Sequence, residues 1–217
     1  MAKKTLKKGL LITFEGPERC GKSTHSKKIV LFLRKKGYSV VHTREPGGTA
    51  VGDAIREVLL KKRKIFISPL AEMLLFEASR AELVKSVIRP ALRAGKIVIT
   101  DRFNDATMVY QGYAGGVPIK DIRKVESVSL GGVRPDLTVV LDIDISRGLR
   151  KIKTRLKDRM ESKKISFHRK VRRGYLWLAA KDKKRIIVVK TEKRIEDTFL
   201  AVKEGVLRAV QKYTRSG

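Results

Sequence analysis

Residues 16–23 read Gly-Pro-Glu-Arg-Cys-Gly-Lys-Ser and follow directly on the apolar run Leu10-Leu11-Ile12-Thr13-Phe14. A turn of the form G-x-x-x-x-G-K-[ST] between a strand and a helix is a phosphate-binding loop: its N–H groups converge on an anion, and the helix behind it adds its positive dipole end. The apolar segment Ile29-Val30-Leu31-Phe32-Leu33 supplies that helix. Gly16, Pro17, Glu18, Arg19, Cys20, Gly21, Lys22, Ser23 and Thr24 are therefore the expected triphosphate-binding residues. Lys22 is expected at the β- and γ-phosphates and Ser23 at a magnesium ion.

Such a loop needs a parallel sheet around it, and the chain offers one. Short apolar runs recur at Leu10–Phe14, Ser39–His42, Ile97–Thr100, Leu137–Leu141 and Ile186–Val189. Each lacks polar alternation, as strands buried on both faces do. Helical spacing fills the intervals: Val51, Ile55, Val58 and Leu59 share one face, as do Ile145, Leu149, Ile152 and Leu156, and Ile195, Phe199, Val202, Val206 and Val210. Ser68-Pro69 opens a long helix running through Leu92, and Gly37 and Gly95 close helices just before strands. The expected fold is α/β, a three-layer P-loop architecture with a five-stranded, mostly parallel sheet and helices on both faces.

Composition narrows the setting. No apolar run approaches the ~20 residues of a membrane span, and nothing at the basic start resembles a secretory leader. One cysteine forms no intrachain disulfide, so a cytoplasmic protein is expected. Cys20 itself sits near a helix N-terminus, an environment that lowers a thiol's pKa and makes it reactive; the plainer reading is a small residue that fits the loop. Net charge is +29, and residues 147–185 alone hold 17 lysines and arginines against Asp158, Glu161 and Asp182. Such basicity points to an anionic partner, nucleotide phosphates or non-specifically bound nucleic acid, while the plainer reading of most of these lysines is a solvated, highly charged surface.

In parallel α/β sheets ligands gather at the carboxyl ends of strands. Thr43-Arg44-Glu45-Pro46-Gly47-Gly48-Thr49 follows the second run there, and Asp101-Arg102-Phe103 the third. Between them a helix carries Phe76 and Arg80 one turn apart on the same side, a ring and a guanidinium suited to a nucleobase.

Taken together, Phe14 through Thr24, Thr43–Thr49, Leu75–Arg80, Thr100–Phe103, Tyr110-Gln111-Gly112, Arg134–Thr138, Asp158-Arg159-Met160-Glu161, Phe167-His168 and Lys170–Tyr175 resemble the thymidylate kinases, which phosphorylate dTMP with ATP. The resemblance implies a single domain over residues 1–217, a short lid at about 153–165 and a homodimer. Phe76 would then stack on thymine and Arg80 donate to its O4, while Thr107 and Gln111 sit beside the base. Tyr110 would crowd the sugar 2′ position and Arg102 hold the dTMP phosphate. Glu45 and Pro46 would line the acceptor site, Asp101 would stand near the magnesium with Ser23, and Glu18 would orient the acceptor. Lys22, Arg44 and Arg102 fit the need to bring two anions together.

Arginines stand both in the loop (Arg19) and in the lid (Arg155, Arg159). The expectation here is that Arg19 steadies the transferred phosphoryl group and Arg159 clamps ATP. Two other readings are another nucleotide kinase on the same sheet and a nucleic-acid-binding ATPase. The aromatic residues of the basic stretch, Phe167, Tyr175 and Trp177, follow helical spacing and form no strand-borne stacking platform.

Overall fold

The computed structural model describes residues 4–61, 66–150 and 158–215. Residues 153–157 of the expected lid, with Arg155, and the helix-face residues Ile152 and Leu156 lie outside the described residues. The five apolar runs form β1 (Leu10–Glu15), β2 (Val40–Arg44), β3 (Ile97–Asp101), β4 (Leu137–Asp142) and β5 (Ile186–Lys190). They pair in parallel throughout, in the order β2-β3-β1-β4-β5. The register sets Asp101 of β3 beside both Phe14 and Arg44, so the strands carrying the three motifs end level.

Alternate residues of β1 feed opposite faces, as the period of two requires. Leu10, Ile12 and Phe14 pack with Ile29 and Leu33 of α1 (Lys22–Lys35) and with Val202, Val206 and Val210 of α9 (Ile195–Arg215). Leu11 turns the other way, into a cluster with Val98, Leu83, Val84 and Ile88. On that second face Val171, Tyr175 and Leu178 of α8 (Ile165–Lys181) meet Val140 and Ile186. The remaining helices are α2 (Ala50–Leu60), α3 (Pro69–Leu83), α4 (Arg89–Arg93), α5 (Asn104–Thr107), α6 (Ile119–Ser129) and α7 (Ile145–Arg150). No helix among the described residues is long and apolar enough to cross a membrane.

Two local readings change. The helix opened by Ser68 does not run unbroken to Leu92: a wider π-turn at Val84–Ile88 joins α3 to α4. Pro90 explains it, because proline has no N–H and crowds the carbonyl one turn back. Val51 and Val58 do not enter the core; both are exposed, and α2 buries Gly52 and Leu59. Gly52 is the contact that lets α2 approach α3, since a Cβ there would stand 3.1 Å from Ser79 Oγ. Ile195 at the start of α9 is likewise exposed.

α3 carries Phe76 and Arg80, so its start matters to the site. Ser68 Oγ accepts the N–H of Ala71 and Pro69 occupies the first turn. Ser68→Ala is expected to lower stability by about 1 kcal/mol, or about 2–4 °C in thermal midpoint for a chain of this size. Circular-dichroism melting checks this; an unchanged midpoint would remove the cap from the account.

Candidate active site

The phosphate loop begins at Gly16, whose φ of +133° and 2.4 Å approach of a would-be Cβ to the Leu141 carbonyl admit no side chain. Lys22, the first residue of α1, is buried and curls beneath the loop. Its ammonium donates to the carbonyls of Gly16 and Pro17, both at 2.9 Å. Arg19 at the loop's tip has φ +60°, a left-handed conformation that few side chains adopt without support. Glu161 gives that support: Arg19 Nε donates to Glu161 Oε1 at 2.9 Å and Nη2 lies 2.8 Å from the same oxygen. Glu161 is itself fixed by a reciprocal capping box, its N–H on Asp158 Oδ1 and its Oε2 on the Asp158 N–H.

Arg102, just beyond β3, is the second left-handed non-glycine residue, at φ +68°. Its Nη2 donates to Glu18 Oε1 at 2.6 Å, and the same oxygen accepts the Tyr110 hydroxyl at 2.9 Å. The Arg102 guanidinium also lies over the Tyr110 ring, 6.0 Å from its centre. Burial works against a charged Glu18, but Arg102 and Lys22 outweigh it and bring its pKa down to about 2. Glu18 is therefore a permanent anion tying the loop to β3. Backbone strain of this kind concentrates at functional sites, where surrounding contacts hold it in place.

Arg80 is almost wholly buried. Nε donates to Glu45 Oε2 at 2.7 Å, Nη1 to Thr107 Oγ1 at 2.9 Å and to Glu77, and Nη2 to the Phe103 carbonyl at 3.0 Å. Four of its five N–H groups are thus spent inside the protein, leaving one on Nη2. Burial raises Glu45 to about 7 despite Arg80, and Glu45 Oε1 is buried with no hydrogen-bond partner. Gln111 comes from a second π-turn, Met108–Tyr113, which also presents Tyr110. Its amide donates to Glu72 Oε1 at 2.8 Å.

These groups line one cavity of about 540 Å³. The phosphate loop and the start of α1 contribute Glu18, Arg19, Gly21, Lys22, Ser23 and Thr24 to its wall; the turn after β2, α3 and the stretch after β3 contribute Glu45, Pro46, Phe76, Arg80, Arg102, Thr107, Tyr110 and Gln111. Arg56, which donates to the Pro46 carbonyl at 2.8 Å, and Met160 and Glu161 line it as well. Arg159 is not brought to the cavity wall. Its Nε donates to the Leu59 carbonyl at 2.7 Å, and its guanidinium pairs with Glu72. Arg44 is exposed at the end of β2.

Ser23 Oγ donates to Asp101 Oδ2, while Asp101 Oδ1 is buried with no hydrogen-bond partner. A hydroxyl and an under-satisfied carboxylate beside a phosphate loop fit magnesium, which takes one or two protein oxygens and completes its shell with phosphates and water. No group of three or more His, Cys, Asp or Glu residues arranged to hold a metal occurs among the described residues. Of the two readings of Cys20, the reactive thiol does not hold: the residue is fully buried, and desolvation raises its pKa despite Lys22 and Arg102. Its Sγ packs under Gly16, so Cys20 is the small residue that fits the loop.

Sequence reasoning passed over Glu161 and Arg56, which line the cavity, and Glu72, which lies off its wall and holds Gln111 and Arg159. Glu161 and Glu72 had signals: Asp158-x-x-Glu161 is a capping-box spacing, and Glu72, Phe76 and Arg80 recur at intervals of four on α3. Arg56 had none, because its role depends on how α2 lies against the Pro46 turn.

The model of the family described as thymidylate kinase matches residues 14–202. A thymidylate kinase of Thermoanaerobacter sp. (strain X514) is 41% identical over 206 residues, covering 95% of this chain and 99% of its own. That of Dehalococcoides mccartyi (strain CBDB1) is 43% identical over 197 residues, 91% of this chain and 95% of its own. The crystal structure of thymidylate kinase from Ehrlichia chaffeensis superposes with a TM-score of 0.75 at 33% identity, covering 93% of this chain and 99% of that one.

Beneath the loop, Glu15 accepts the Phe103 N–H and the Tyr175 hydroxyl, each at 2.7 Å. Burial and the Asp105 charge nonetheless push it from the usual 4.5 to about 8. The folded state then holds a proton that the unfolded chain releases above 4.5, so this group's stabilisation is full below 4.5 and is lost as pH rises through about 8. Glu15→Gln removes the titration while keeping the shape and one acceptor oxygen for the Phe103 N–H, the Tyr175 hydroxyl turning to accept from the amide. Its thermal midpoint is expected to fall less than wild type's between about pH 5 and about pH 8.5; parallel pH profiles would contradict the assignment.

Proposed function

This chain is a member of the thymidylate kinase family, and on that premise we propose that it phosphorylates dTMP to dTDP, taking the terminal phosphoryl group from ATP with magnesium. The observation that carries this reading is the single cavity joining the Lys22 loop to the Phe76–Arg80 pocket. Phe76, half-buried on that wall, offers a ring face to thymine, and the remaining Nη2 N–H of Arg80 suits the thymine O4. Thr107 and Gln111 flank the base, Glu45 and Pro46 close the pocket, and Tyr110 fills the space a 2′-hydroxyl would need.

The acceptor is a phosphate monoester, largely dianionic at neutral pH because its second pKa is ~6. Its oxygen attacks the γ-phosphorus as the bond to the β-bridging oxygen breaks, so alignment and charge neutralisation suffice. Glu18, with its pKa near 2, is poorly matched to removing a proton from a hydroxyl. That favours a phosphate acceptor over a deoxynucleoside. Arg102 steadies the acceptor phosphate, Glu18 fixes Arg102, and Lys22 moves from the loop's carbonyls to the β- and γ-phosphates. Ser23 and Asp101 would hold magnesium, which when bound would supply positive charge against the phosphates. Arg19 stands at the loop's tip for the transferred group, whereas Arg159 serves as an anchor of residues 158–163.

The whole chain acts as one domain with its lid at about 153–165, in the cytoplasm and as a homodimer. The support for a dimer is apolar exposure on neighbouring helices, where Val51 and Val58 of α2 and Leu70 and Leu74 of α3 all face outward. The excess positive charge adds only salt-sensitive attraction to nucleic acid.

A coupled ADP-release assay across the monophosphates is expected to show dTMP fastest, dUMP weaker, and UMP and thymidine poor; faster turnover of UMP or CMP would refute the reading. Arg19→Ala should lower kcat by about 10³-fold or more and leave the KM for ATP within about threefold of wild type. Single-turnover kinetics separates the steps, and a chemical step lost more in Arg159→Ala than in Arg19→Ala would exchange the two roles.

A further inference from the structure

Glu72 has no part in the transfer just described, yet it is one of the most deeply buried charges, at 3% exposure. Its Oε1 accepts from Gln111 Nε2 at 2.8 Å and lies 3.7 Å from Lys163 Nζ, and its Oε2 lies 2.5 Å from Arg159 Nη2. Burying a carboxylate is a poor source of stability even when it is paired, because desolvation offsets the attraction. What the carboxylate supplies is a fixed relation between parts of the chain distant in sequence.

On one side of it is Gln111, on the wall of the acceptor pocket. On the other are Arg159 and Lys163, either side of Glu161, the residue that grips Arg19 on the phosphate loop. Arg159 is moored further by its backbone N–H on the Leu60 carbonyl at 3.1 Å. A short polar path therefore runs from Gln111 through Glu72 to Arg159, and from Glu161, two residues on, to Arg19.

We propose that Glu72 is a positioning residue that couples acceptor binding to donor binding. A base seated against Gln111 fixes the Glu72 carboxylate, which fixes residues 158–163 and hence the place of Arg19. The inference rests on the reading of the cavity as a two-nucleotide site. Coupling of this kind is reciprocal, so each nucleotide should tighten the other by the same factor.

The test is calorimetric titration of dTMP with and without a saturating non-hydrolysable ATP analogue and magnesium, the ratio of dissociation constants being the readout. The wild type should show a ratio of about 5 to 150. Glu72→Gln keeps an acceptor for Gln111 but removes the charge that holds Arg159. It should leave dTMP affinity alone within about threefold while bringing the ratio to within about twofold of one. Arg159→Met approaches the same pair from its more exposed side and carries the test should Glu72→Gln fold poorly. The double variant should lose no more coupling than either single one, as partners in one unit do. A wild-type ratio near one, or variants that keep the wild-type ratio, would overturn the proposal with the two-nucleotide reading intact. A wild type that binds no dTMP would overturn that reading first.

Discussion

The cleft is built from positive charges that must be held in place before any phosphate arrives, and the molecule solves this with its own carboxylates. Arg19 rests on Glu161, Arg102 on Glu18, and Arg80 on Glu45 and Glu77. An unpaired charge in a protein interior is very costly, so each pairing is a condition for the fold as well as for the site. The pairings also reach across elements: loop to residues 158–163, loop to β3, and α3 to the turn after β2. Lys22 and Arg56 differ, since backbone carbonyls satisfy them: Gly16 and Pro17 for Lys22, Pro46 for Arg56. The guanidinium groups are thus aligned in advance, so an arriving phosphate would meet them already in place.

The sheet supplies the frame for this. β1, β3 and β2 end at one level, so the phosphate loop, Arg102 and the Glu45-Pro46 turn emerge side by side. The strained backbone at Arg19 and Arg102 lies on the first two of these exits, where strand geometry gives way to the cleft. Two π-turns add to it, one aiming Tyr110 and Gln111 inward and one easing α3 past Pro90. Apart from the turn at Pro90, these departures from regular geometry collect along the cleft, where they set side-chain direction.

Much of this was legible in the residues. Unbroken apolar runs gave the parallel strands, because burial on both faces removes polar alternation. The loop's glycines and the Phe76–Arg80 spacing gave both ends of the cleft. What escaped was direction and depth. Arg159 was read as an ATP contact from its place in a motif, yet Glu72, far away in sequence, draws it aside. Cys20 near a helix N-terminus allowed a reactive reading beside the plainer one of a small residue that fits the loop, and full burial under Gly16 decides for the plainer. Val51 and Val58 satisfied the helical period, which reports a shared face without saying whether that face meets the core or another surface.

The central claim is that Arg102, held in a left-handed backbone by Glu18 and Tyr110, is the grip on the acceptor's phosphate while Phe76 and Arg80 hold its base. Calorimetric binding of dTMP and of thymidine to wild type and to Arg102→Ala tests it most directly. The account predicts that the substitution weakens dTMP by at least about tenfold, as loss of a charge-assisted contact worth about 1.5–3 kcal/mol requires, and leaves thymidine unchanged. An equal loss for both ligands, or none for dTMP, would contradict it.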